Sequence, residues 1–268
     1  MAEANLQNEA AEAAAKGDAP LLQMVDVCKR FGGVQVLDNV SLEIGSNEIV
    51  GLVGDNGAGK STLIKTITGV HLPTSGDIYY KGEKISIHSV KKSRKLGIET
   101  VYQERALADL QTIWQNMFLG REITNKLGFM NIKEEKRQSE LMMREHMGFT
   151  SKAITVDTEV EFLSGGEKQG IAISRALYFK ADLIILDEPT VALSLSETQR
   201  VQEFILDIKR RGHSAIYISH SIYLLYPVCD RFIVLDRGRV AGVLDKKDVT
   251  QDELQEKMVN LVKTGVLA

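Results

Sequence analysis

IVGLVGDNGAGKSTLIK, residues 49–65, is the stretch on which the reading of this chain turns. Its first five residues are apolar without alternation, as in a strand buried on both faces. Gly54 to Thr62 then follow the P-loop spacing of Gly, four residues, Gly-Lys-Ser/Thr, set between a strand and a helix as that motif requires. The glycines let backbone N–H groups close around a phosphate where a helix presents its positive end. The cradle comprises Gly54, Asn56, Gly57, Ala58, Gly59, Lys60, Ser61 and Thr62. Lys60 reaches the terminal phosphates as a point charge, and the Ser61 hydroxyl is offered to Mg2+, which takes few protein oxygens beside phosphate and water. The helix that starts at Lys60 is expected to end at Gly69, where glycine accepts the left-handed capping conformation.

Short apolar runs alternate with helical patterns from Leu21 onward, which predicts an α/β fold with a mainly parallel sheet. The clearest further strands are Leu183–Leu186, Ala215–Ile218 and Phe232–Leu235. Asp187 and Glu188 follow the first of these, and Ser219 and His220 the second. In an open parallel sheet the carboxyl ends of the strands share one edge, so these groups are expected to converge on the P-loop. Asp187 then suits the Mg2+ shell, and Glu188 suits the polarising of an attacking water. A neutral His220 has one donor for a γ-phosphate and one acceptor for a neighbour. Gln103, in GIETVYQE, is a candidate for both a metal contact and a hinge.

The 268 residues carry a net charge of −3, with 44% hydrophobic and 26% charged side chains. That balance excludes the basic field of a non-specific nucleic-acid binder, and no apolar run approaches the roughly 18 residues of a membrane span. The two cysteines, Cys28 and Cys229, lack metal-like spacing. Residues 1–20 have neither the basic start nor the apolar stretch of a signal peptide and read as a disordered tail. Residues 104–162 differ in texture, with IKEEKR at 132–137 and Met142, Met143 and Met147 at helical spacing, and read as a mostly helical insert. Asp252 to Val262 predicts a closing helix, and no internal repeat is present.

FLSGGEKQGIAISRAL, residues 162–177, poses a separate question, because it is a second loop-into-helix anion cradle in a chain that already has one. GDNGAGKST, YQ, LSGGE, ILDEP and SH occur in the order and approximate spacing of the ATP-binding cassette family, which the chain resembles from about Leu21 to its closing helix. The resemblance implies a P-loop NTPase core over 21–103 and 163–268, an antiparallel β portion near the N-terminus, and a helical subdomain over 104–162. It also implies ATP and Mg2+, the latter held by Ser61, Gln103 and Asp187, and catalysis by Glu188, His220 and Gln103. Phe31 matches the position that stacks on adenine. Two subunits would pack head to tail, so that the P-loop of one faces Ser164, Gly165, Gly166 and Glu167 of the other. Two half-sites in one chain thereby become two whole sites in a homodimer.

GDNGAGKSTLIK, GIETVYQ, NMFLGRE and DEPTVALS further resemble the ATPases of monosaccharide importers, of the ribose, galactose and fructose type. This implies a separate transmembrane permease, a separate sugar-binding protein, and a peripheral place on the cytoplasmic face of the inner membrane. Two residues depart from the family pattern. Ser194 stands where an aspartate is common, which puts cross-talk between sites in question, and Glu167 replaces a glutamine, adding charge that should weaken closure. The competing reading is a soluble cassette ATPase of the translation or repair type. Its long coiled-coil insertions or paired cassettes are not seen in this sequence.

Overall fold

A computed structural model describes residues 19–102, 107–145 and 154–267. Ten strands form two sheets among these residues. β1 (Leu22–Phe31), β2 (Val34–Ile44), β4 (Ser75–Tyr80) and β5 (Glu83–Ile85) make an antiparallel sheet in the order β2-β1-β4-β5. The larger sheet contains β3 (Ile49–Val53), β6 (Ile98–Val101), β7 (Leu183–Asp187), β8 (Ser214–Ile218), β9 (Arg231–Asp236) and β10 (Arg239–Asp245). Its order is β10-β9-β3-β8-β7-β6, parallel throughout except for the β9–β10 hairpin. The fold is therefore α/β with a mainly parallel sheet, as the apolar runs predict, and with the antiparallel portion near the N-terminus that the resemblance implies.

The unbroken apolar runs are explained by burial on both faces. Val50, Leu52, Leu183, Ile185, Ile216 and Ile218 face the antiparallel sheet and the helix Lys60–Ile67. Their chain neighbours Ile49, Val53, Ile184, Leu186, Ala215 and Tyr217 face the helices Gly165–Tyr178 and Leu195–Arg210. Each fully buried side chain of this size stabilises the fold by about 1.5–3 kcal/mol, and successive residues point opposite ways. Both layers are thus specified by the same short strands.

A third apolar cluster joins the helix Ile113–Phe118, the helix Ile132–Glu145 and the head of the helix Gly165–Tyr178 through Trp114, Met117, Phe118, Met142, Met143 and Ile171. Met142 and Met143 are core residues, and Met147 lies outside the described residues. The segment between the first two of these helices is a turn rather than helix, because the Asn125 side chain accepts the N–H groups of Leu127 and Phe129 and Gly128 has φ +84°. The closing helix runs Gln251–Thr264, capped by Thr250 and Glu253. Among the described residues no helix is long and apolar enough to cross a membrane.

Candidate functional site

The cradle is built by a close backbone approach at the end of β3. A Cβ on Gly54 would sit 2.3 Å from the carbonyl oxygen of Leu235, so only glycine lets the chain turn there. Gly57 and Gly59 have φ of +83° and +104°. The N–H of Ala58 donates to the Asp55 carbonyl (3.1 Å), and the Ala58 carbonyl accepts the N–H of Gly238 (2.9 Å), which ties the loop to the β9–β10 turn. The helix Lys60–Ile67 follows, with Thr68 as its C-cap and Gly69 just beyond at φ +73°. It has no capping side-chain hydrogen bond at Gly59 and no acid in its first turn, so its positive end is open to an anion.

Lys60 is buried, and its Nζ donates to the carbonyls of Gly54 (2.6 Å) and Asp55 (3.0 Å). Burial pushes its ammonium below the usual range, while Glu188, Asp55 and Asp187 pull it back up. A desolvated cation held only by carbonyl oxygens gains from exchanging them for phosphate oxygens.

Lys60, Asn56, Ser61, Thr62, Asp187 and Glu188 line one cleft of about 350 Å³. Parallel pairing brings them together, since β3 lies beside β8 and Asp187 of β7 sits opposite Ile218 of β8. Burial raises the Asp187 carboxyl, Glu188 raises it further, and Lys60 and Lys65 oppose this. A positive charge in the cleft would relieve that carboxylate. The Ser61 hydroxyl and Asp187 are hard oxygen donors, which fits Mg2+ with its preference for few protein ligands. Among the described residues there is no cluster of three His, Cys, Asp or Glu side chains of the sort that holds a metal alone.

Glu188 adopts φ +49°, fixed by its N–H donating to the Ile218 carbonyl (3.1 Å). The left-handed conformation costs a non-glycine residue about 1–2 kcal/mol, and here it turns the side chain away from the strand direction. His220 Nδ1 lies 3.2 and 3.1 Å from the two Glu188 carboxylate oxygens. An ionised carboxylate only accepts, so Nδ1 carries the proton and donates. In the neutral ring Nε2 is then an acceptor.

Phe31 is 43% exposed rather than part of the core. His71 meets its ring edge-on with centroids 5.0 Å apart, and Lys29 Nζ lies 4.9 Å from the ring centroid. Phe31 stands outside the 350 Å³ cleft, whose rim includes Val36. Gln103 lies outside the described residues.

Ser164, Gly165, Gly166 and Glu167 do not line the cleft either. They form the start of the helix Gly165–Tyr178, where the Ser164 hydroxyl accepts the Glu167 N–H (3.3 Å) and the Glu167 carboxylate accepts the Ser164 N–H (2.9 Å). The charge of Glu167 is therefore spent on a capping box. Sequence reading passed over two participants. Asp55 lines the cleft, and Glu197 bonds the Gly166 N–H (3.0 Å). The Ser-x-x-Glu spacing at 194–197 was the available signal for the second.

The ABC transporter family matches residues 37–191. The chain is 43% identical over 240 residues to the xylose/arabinose import ATP-binding protein of Sulfolobus acidocaldarius, covering 90% of this chain and 94% of that protein. It is 39% identical over 240 residues to the ribose import ATP-binding protein of Caldanaerobacter subterraneus subsp. tengcongensis, covering 90% of this chain and 48% of that protein. The chain thus spans about half the length of the ribose relative. Among solved structures, a nucleotide-free ATP-binding cassette from an ABC transporter superposes with a TM-score of 0.77 at 22% identity, covering 91% of this chain and 98% of that one.

Proposed function

The chain belongs to the ABC transporter family, and on that premise we propose that it is the ATP-hydrolysing subunit that powers import of a sugar, of the monosaccharide class, through a separate membrane permease. The observation that carries the reading is the convergence, in one cleft, of a desolvated lysine at an open helix end with the Asp187–Glu188 pair and its histidine. The names of the import relatives support transport over the translation or repair reading.

In this proposal the P-loop amides and Lys60 bind the triphosphate, and Phe31 supplies a flat apolar face for the base. Ser61 and Asp187, with Gln103, would hold Mg2+, which would supply charge neutralisation at the phosphates. Glu188 takes a proton from the attacking water on a carboxylate oxygen, and His220 holds that carboxylate in place through its Nδ1–H. Residues 21–103 and 163–268 form the ATPase core, and 104–162 form the arm that meets the permease on the cytoplasmic face of the membrane. Two copies close on ATP, each presenting Ser164, Gly165, Gly166 and Glu167 to the nucleotide of the other, and cleavage of the γ-phosphate removes contacts that hold them together. A separate sugar-binding protein selects the cargo.

The test is Glu188→Gln, measured by phosphate release and by sedimentation with Mg-ATP. Loss of a general base lowers turnover about 10²–10⁴-fold. The variant is expected to lose turnover by at least the lower figure and to accumulate as ATP-bound dimer. Turnover within about threefold of the parent would remove Glu188 from the role of base.

A further inference from the structure

The helices Gly165–Tyr178 and Leu195–Arg210 meet along a seam in which two glycines of the first are tightly packed against side chains of the second. A Cβ on Gly166 would lie 3.1 Å from Glu197 Cβ, and one on Gly170, a turn later, 3.0 Å from the Phe204 ring. At the head of this seam a single carboxylate gathers donors from two elements. Glu197 Oε1 accepts the Gly166 N–H at 3.0 Å, while Oε2 accepts the Ser194 N–H at 3.0 Å and the Ser194 hydroxyl at 2.8 Å. The Ser194 amide, then the Gly166 amide, then the two serine hydroxyls hold its carboxyl down at about 2, so it is ionised throughout the neutral range.

Capping its own helix requires Glu197 only to meet Ser194. The bond to Gly166 is additional, because it satisfies an orphan amide of a different helix with a charge-assisted contact. The two elements so joined have distinct stations. One starts at Ser164, and the other is the continuation of the short loop that leaves Glu188. A tilt of the Ser164 turn is therefore passed to that loop, and with Gly166 and Gly170 packed tight the seam has little give.

We propose that Glu197 is a positioning residue, which clamps the Ser164–Glu167 turn to the Ser194 loop so that the second cradle and the loop carrying Glu188 move as one body. This rests on the reading that the Ser164 turn engages nucleotide held by a second copy. Ser194 fits the clamp as it stands, since it donates twice to Glu197 where an aspartate side chain would repel it.

The experiment compares Glu197→Ala and Glu197→Gln in the full chain, each alone and with Glu188→Gln. Amide hydrogen exchange over residues 163–169 without nucleotide reads the clamp directly. Steady-state hydrolysis and Mg-ATP-driven sedimentation read its consequence. Glu197→Ala is expected to speed exchange at Gly166 and its neighbours at least tenfold and to lower kcat and dimer affinity at least tenfold, with KM within twofold. Glu197→Gln has one carbonyl oxygen where the carboxylate uses two, so with the Ser194 cap kept its NH2 group faces the Gly166 N–H. It should preserve the cap yet speed exchange at Gly166 and lower kcat and dimer affinity as the alanine variant does. Unchanged exchange in the alanine variant, or parental kcat and dimerisation despite faster exchange, would overturn the proposal. If the Glu188→Gln parent stays single with Mg-ATP, the reading of the second cradle fails on its own, and exchange together with kcat still decides the clamp.

Discussion

Glycines of one loop should fail for different reasons, and the difference can be measured. At Gly54 the obstacle is space, because an alanine Cβ would lie 2.3 Å from the Leu235 carbonyl and 3.2 Å from Ala58 Cβ. Neither neighbour is a flexible side-chain end. Overpacking of this sort costs about 1–3 kcal/mol, which at roughly 2–4 °C per kcal/mol predicts that Gly54→Ala melts about 2–12 °C lower. At Gly57 no atom lies within 4 Å of the added Cβ, but φ is +83°, so Gly57→Ala costs about 1–2 kcal/mol from the dihedral alone. Asparagine separates the two causes, since it tolerates positive φ but is larger than alanine. Gly57→Asn should therefore be milder than Gly57→Ala, and Gly54→Asn harsher than Gly54→Ala. Gly33, with neither crowding nor positive φ, is the control, and Gly33→Ala should shift stability by less than about 0.5 kcal/mol. Displacing Gly54 also shifts the amides that follow it in the loop, and the loss of one charge-assisted contact from those amides to phosphate, worth about 1.5–3 kcal/mol, should lower affinity for a fluorescent ATP analogue roughly ten- to hundredfold. Differential scanning calorimetry with nucleotide titration tests both parts. A Gly54→Ala protein melting within about 1 °C of the parent and binding nucleotide normally would refute the account.

Two other outcomes are expected. Phe31→Ala should weaken nucleotide binding about tenfold, the value of an aromatic stacking contact, while leaving the melting temperature within about 2 °C because the ring is partly exposed; equal affinity in a binding titration would remove Phe31 from the site. The Glu197 carboxyl is held at about 2 in the folded chain, below the ordinary value near 4.3. A depressed folded value gives stability that is complete above the unfolded value and is lost as pH falls through the folded one. The stability gap between the parent and Glu197→Gln, read from urea midpoints, should therefore be widest above about pH 5 and narrow toward pH 2; a gap independent of pH would contradict this.

The parts of the fold that could be read in advance are those with one physical cause. β3, β7, β8 and β9 announce themselves because a strand buried on both faces has no polar positions to spare. β4 and β5 are short and alternate weakly, with exposed residues such as Gly76 and Glu83, so no periodicity marks them. The turn at 125–129 interrupts the helices of the insert where the Asn125 side chain accepts two backbone N–H groups, and no periodicity marks it. At the site, residue types announced the cradle and the acids. Their pairing was another matter. The contact between His220 and Glu188, and with it the tautomer, follows from the register of β7 against β8, which no single segment encodes. The contact of Glu197 with Gly166 likewise depends on how closely two helices pack.

The two cradles are chemically unlike, and this bears on the order of events. The helix end at Lys60 is open, with a glycine cap, no acid in its first turn, and a cation seeking better ligands than carbonyls. The helix end at Ser164 is already answered from within, its first amides meeting Glu167 and Glu197. A free triphosphate approaching a lone chain therefore meets an open helix end and Lys60 at the first cradle, beside three carboxylates (Asp55, Asp187 and Glu188) that a magnesium ion would offset. At the second cradle it meets amides already engaged by two fixed negative charges. In the proposed dimer, the balance would change for a nucleotide whose charge another copy's Lys60 and Mg2+ had offset. On the proposed reading, loading of the first cradle must precede engagement of the second, and the internal carboxylates at Ser164 make that sequence a property of electrostatics rather than of chance encounter.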